Sequence, residues 1–145
     1  MEKVIMSVAL SIRADEQTVN TTIYPRDILM KALDEYLVIS QKGYIDVEGE
    51  SYESFKINKI REDDNNILID IEVLDDTEAG RILKEEIKKG IGSNISYQID
   101  LDGLGNIDLY TNKVCDLEID KLSINPKKSE NFLVDHIVNP KSKRS

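Results

Sequence analysis

The sequence predicts a single α+β domain: a curved antiparallel β-barrel of about seven strands with two main flanking helices. Alternating apolar and polar residues mark several separate stretches as half-buried strands, most clearly Val4 to Ile12 and Ile67 to Leu74. Two other stretches repeat their apolar residues at helical spacing, after Pro25 and after Thr77. The 145 residues suit one domain large enough to bury a core, with no internal repeat or low-complexity tract.

In chain order, Val4, Met6, Val8, Leu10 and Ile12 share one face of the first strand. Asp15 to Thr22 is polar and β-branched, a loop or hairpin tip, and Ile23-Tyr24-Pro25 closes it. Proline opens the first helix, because its missing N–H removes no bond at the first turn. Ile28, Leu29, Ala32, Leu33, Tyr36 and Leu37 form the buried stripe, with Arg26, Lys31, Asp34 and Glu35 opposite. Gly43 to Glu48 reads as a short strand, and Gly49-Glu50-Ser51 as the turn after it. Strands from Phe55 to Ile60 and from Ile67 to Leu74 are joined by a turn over Arg61 to Asn66. Its Asp and Asn side chains bond nearby backbone and tolerate left-handed conformations.

Asp75-Asp76-Thr77 supplies capping oxygens to the second helix. Ile82, Leu83 and Ile87 make its apolar stripe, and Lys88, Lys89 and Gly90 end it. The next strand begins around Ser96, and Asp102-Gly103-Leu104-Gly105-Asn106 is expected to be a glycine-rich hairpin connection. Strands near Ile107 to Thr111 and Val114 to Ile124 follow, ending at Asn125-Pro126. The domain thus takes residues 1–126. Residues 127–145 form a C-terminal tail or docking arm, with scattered lysines around Phe132-Leu133-Val134 and Ile137-Val138.

A net charge of -9 argues against a nucleic-acid partner, since neutralising phosphates needs a basic surface. No apolar run approaches the roughly 20 residues that cross a bilayer. Met1-Glu2-Lys3-Val4 lacks a basic n-region and a cleavage site, so secretion is not expected. The single cysteine, Cys115, excludes an internal disulfide and thiolate metal clusters, and is read as a small core residue. Gly90-Ile91-Gly92 lacks the third glycine of a dinucleotide fingerprint. Asp63-Asp64-Asn65-Asn66 lacks the following glutamate of a calcium loop. No metal or cofactor is expected.

Ser96 stands where a helix gives way to a strand, and a serine so placed is a nucleophile only beside a base. Four segments in order around it carry a resemblance. They are Asn20-Thr21-Thr22-Ile23-Tyr24-Pro25 before the first helix, Gly43-Tyr44-Ile45-Asp46-Val47-Glu48 after it, Asn94-Ile95-Ser96-Tyr97 after the second, and Ile119 to Pro126. Together they resemble the head-maturation (prohead) proteases of tailed bacteriophages, in particular the T4-like branch. The resemblance covers Val4 to Pro126 and implies the assemblin-like barrel that this family shares with herpesvirus maturation proteases.

That family hydrolyses peptides with a serine and a histidine, and a further residue orients the base. The resemblance places the serine on Ser96 and the late acidic position on Asp120. The histidine position falls on Val47, or on Glu53 when matched to Gly49 to Ser54; neither register holds a histidine. Loss of the base alone removes about six orders of magnitude from serine-protease turnover. Asn94 and Gln98 also replace the flanking residues that expose the family's serine.

The expectation is a catalytically inactive, protease-like virion structural protein: an auxiliary or decoration subunit of a phage capsid that binds the major capsid protein or other head proteins. A homo-oligomer is compatible with that role. The expected location is the virion, or the host cytoplasm during assembly. One alternative is an active maturation serine endopeptidase using His136 or a carboxylate such as Glu53 as base, cleaving capsid and scaffold proteins. Another is an assembly chaperone or regulatory subunit of a separate protease.

Overall fold

The computed structural model of the protein describes residues 4–18, 21–90, 97–126 and 137–138. Strand β1 (Ile5–Leu10) is followed by α1 (Arg26–Ile39), β2 (Lys42–Val47), β3 (Glu50–Asp63) and β4 (Asn66–Val73). Then come α2 (Glu78–Gly90), β5 (Tyr97–Asp108), β6 (Lys113–Pro126) and the short β7 (Ile137–Val138). The strands neighbour one another in the order β1-β4-β3-β2-β6-β5, and β1 pairs again with β5, which closes a barrel. β7 lies outside this circle and runs parallel to β5, with Ile137 opposite Gly103 and Val138 opposite Leu104. The α+β barrel with two helices is the class that the hydrophobic pattern predicts.

β4 shows why the barrel forms. Ile67, Ile69, Ile71 and Val73 are all buried, and the residues between them are not. Val8 and Leu10 of β1, Ile99 and Leu101 of β5, and Leu122 and Ile124 of β6 complete the same interior. Each such side chain contributes about 1.5–3 kcal/mol when fully buried. α1 packs against β6 and α2 against β3 and β4. Leu29, Ala32, Leu33 and Tyr36 are the residues that α1 buries, at the predicted spacing.

The helix starts are held differently. Thr77 Oγ1 accepts from Gly80 N at 2.9 Å, the expected cap, and donates to Glu53 O at 3.2 Å, which ties α2 to β3. Pro25 offers no such oxygen. Instead Asp15, brought alongside by the Ala14–Tyr24 bridge, accepts from Arg26 N at 2.9 Å.

Several local expectations are corrected. Gly103 and Gly105 lie inside β5, whose ladder with β6 runs from Tyr97 to Asp108. They serve close approach of two backbones: a Cβ at Gly103 would stand 2.2 Å from Glu118 O, and one at Gly105 2.4 Å from Asp116 O. The joint after β3 is tighter than expected, since Asp63 pairs with Asn66 and only Asp64-Asn65 turn. The preceding turn is Glu48-Gly49, with φ +51 and +84, the double positive φ that suits a two-residue hairpin. Ile82 is 44% exposed while Leu83 is buried, because α2 aims Leu83 at the barrel. Cys115 is exposed, not core: it falls at the bulge where Asn106 pairs with Asp116 but Ile107 with Val114. Val19, Asn20 and Phe132-Leu133-Val134 lie outside the described residues.

Candidate functional site

The region of interest is built by three adjacent strands, β2, β6 and β5. Tyr44 is level with Ser123, which pairs with Asp100; Ile45 is level with Ile124, which pairs with Ile99. At the end of the ladder Pro126 pairs with Tyr97, the first residue of β5. Tyr97 is anchored to α2 by its hydroxyl, which donates to Glu86 O at 3.2 Å. Burial first, and the negative charge of Glu86 second, raise its pKa. Ser96, the residue before it, lies outside the described residues, as does His136.

The other site positions fall unequally around this end. Val47 is two residues past Ile45, the last residue of β2 that pairs with β6. It is 39% exposed and faces a groove shared with Ile45, Tyr52, Ala79 and Ile82. Glu53 pairs with Tyr44 on the far side of β2, three ladder steps or about 14 Å from β5. Its carboxylate is 3.8 Å from Lys42 Nζ. Asp120 is exposed at the bulge between the Ile119–Gly103 and Lys121–Asp102 pairs, about 17–20 Å along β5 from Tyr97. The fold therefore points the Val47 end of β2 toward the Tyr97 end of β5 and keeps Glu53 and Asp120 apart from it.

A polar cluster that the alternation of residues did not reveal sits next to this end. Gln98, Asp100 and Ser123 are buried, although all three occupy the polar phase of their strands. Asn125 Nδ2 donates to Asp100 Oδ2 at 2.7 Å and Gln98 Nε2 to Asp100 Oδ1 at 3.4 Å, so amide donors help hold a buried carboxylate. Their i, i+2 spacing on paired strands was the available signal, but which strand pairs with which is not written locally.

Further along, Lys121 Nζ donates to Ser51 Oγ at 2.6 Å and Asp46 Oδ1 at 3.2 Å, and lies 3.4 Å from Asp102 Oδ2. Partial burial opposes its charge, but the bonds and fields of Asp46 and Asp102 outweigh that and raise its pKa.

In chemical terms this is a strand start, at Tyr97, beside a buried carboxylate held by amides. Among the described residues there is no imidazole, the chain's single histidine being His136. A carboxylate is a weaker base for a hydroxyl than imidazole is. Among the described residues no cluster of three or more metal-ligating side chains is present, and no helix is long and apolar enough to cross a membrane.

No protein-family model matches the sequence, and no curated protein matches it significantly. Among solved structures, the chain is similar to the bacteriophage T4 capsid assembly protease, gp21, with a TM-score of 0.58 and 14% sequence identity. The match covers 85% of this chain and 98% of that one. The fold of this protein is prohead-protease-like.

Proposed function

We propose that this chain is a prohead-protease-like protein of a tailed bacteriophage that has given up hydrolysis and serves as an auxiliary subunit of the head, bound to the major capsid protein. The fold likeness supports the phage setting. The single observation that carries inertness is Val47, an aliphatic residue at the position where the resemblance expects the base, on the end of β2 that runs parallel to β6 toward Tyr97. A serine hydroxyl without a proton acceptor is a poor nucleophile.

Two measurements test this. Mass spectrometry of purified mature heads should find the chain in stoichiometric amounts, and its absence overturns the structural role. A fluorophosphonate probe should leave Ser96 unlabelled. Labelling that Ser96→Ala abolishes, together with uncleaved capsid precursors in that variant, would establish the active protease instead.

A further inference from the structure

The outer edge of β6 is paired only near its ends. Lys113 pairs with Ile23 at one end, and Ser123 and Ile124 with β2 at the other. Between them no described strand lies alongside, and α1 packs against β6 instead. A groove of about 300 Å³ lies between Glu35, Tyr36 and Ile39 of α1 and the Asp116-to-Ile119 stretch of β6. Leu117 and Ile119 are buried beside it, while Ile39 is 86% exposed. Its charge is of one sign: Glu35, Asp116 and Glu118 line it, and no lysine or arginine among the described residues does.

Among the described residues neither Glu35 nor Glu118 has an ion-pair partner. Lys31, one turn before Glu35, makes no ion pair with it, and Glu118 is opposite Leu104 across the ladder. Asp116 accepts from Asn106 Nδ2 at 3.2 Å, an uncharged donor. An open strand edge is a template for another strand, and acids along it repel acidic edges while favouring a basic one. Residues 139–145, which lie outside the described residues, supply such a strand: they carry Lys141, Lys143 and Arg144 and no acid, in a chain of net charge -9. In an extended strand Lys141 and Lys143 share a face, at the same i, i+2 spacing that Asp116 and Glu118 have on β6.

We propose that residues 141–145 of one copy add as a strand to the open edge of β6 in a second copy. Lys141 and Lys143 are then level with Asp116 and Glu118, and Arg144, on the other face of the added strand, is toward Glu35. Chain length excludes the groove of the same copy. The segment leaves from Val138, which pairs with Leu104 on the edge of β5 away from β6. A strand outside β6 is therefore three strand spacings, about 14 Å, from β7. Lys141, three residues past Val138, reaches about 10 Å. Lys143 reaches about 17 Å, but that line runs straight through β5 and β6. Reciprocal docking closes a two-fold pair, and one-way docking extends a ring or an open chain. One such contact buries less than the ~1,000 Å² of lasting interfaces, so association needs high concentration or a lattice that holds copies together. The inference does not depend on whether Ser96 is active.

Sedimentation velocity of the full chain, at low salt and concentrations up to about 1 mM, should show a mass that rises to the dimer or beyond, and added salt should lower it. Glu35→Lys with Glu118→Lys, both at exposed positions, should leave the chain monomeric with an unchanged circular dichroism spectrum. Lys141→Glu with Lys143→Glu should do the same. An equal mixture of these two variants should associate again, because each basic or acidic segment then meets a groove of opposite charge. A wild-type chain that remains monomeric overturns the proposal, including one whose segment folds back on its own copy. So does association that either pair of substitutions leaves unchanged, or a mixture that stays monomeric.

Discussion

The ring of Phe55 fills the space that a side chain at position 43 would need. A Cβ on Gly43 would stand 1.9 Å from Phe55 Cε2, and the two residues are partners across β2 and β3. Phe55 is fully buried, so its ring has little room to retreat. Gly43→Ala is therefore expected to destabilise the fold by about 1–3 kcal/mol, the usual effect of overpacking. Urea denaturation should show a lower midpoint with an unchanged slope.

The start of α1 depends on a residue eleven positions earlier, Asp15, whose carboxylate accepts from Arg26 N. Asp15→Ala should lower stability by about 1 kcal/mol or somewhat more, through the lost cap and an alanine forced to positive φ. Asp15→Asn keeps the acceptor and tolerates that backbone, so it should lose much less. Thermal unfolding of the two variants side by side separates the cap from the charge.

On the outside of the barrel Arg61 holds Asp70 through Nη2 at 2.9 Å and Nε at 3.1 Å, and the Ser7 hydroxyl donates to the same carboxylate. The Arg61 bonds, then that of Ser7, lower the Asp70 pKa. A carboxylate with a depressed folded pKa stabilises the fold fully above its unfolded value, about 3.9, and loses that contribution as pH falls through the folded one. The stability gap between wild type and Asp70→Asn should accordingly be present at neutral pH and close as the solution is acidified below about pH 4. High salt should narrow it as well, because the pair is partly exposed.

The last prediction concerns chemistry. If Val47 leaves the serine without a base, Ser96→Ala should change neither particle yield nor the cleavage pattern of head proteins. Gel analysis of assembled heads reads both, and an accumulation of uncleaved precursor would reverse the assignment.

Much of the fold is written in local residue order. The strict alternation of Ile67, Ile69, Ile71 and Val73 and the helical spacing of Leu29, Ala32, Leu33 and Tyr36 give each element its buried side, and those sides are the ones buried. The glycines of β5 misled because Gly103 and Gly105 have two physical uses, turning a chain and letting another backbone approach, and only the ladder to β6 distinguishes them. Cys115 misled for a related reason: a bulge moves one residue out of phase with the alternation around it.

The sequence by itself determined the class of the fold, its helices and its solvated surface, because burial periodicity is a property of neighbouring residues. Tertiary structure alone decided which strands lie side by side. That adjacency points the Val47 end of β2 toward the Tyr97 end of β5, buries Asp100 among Gln98, Ser123 and Asn125, and carries Asp120 to another part of the barrel. Pairing between distant strands is fixed by how all the apolar faces close around one interior at once, and no local stretch contains that information.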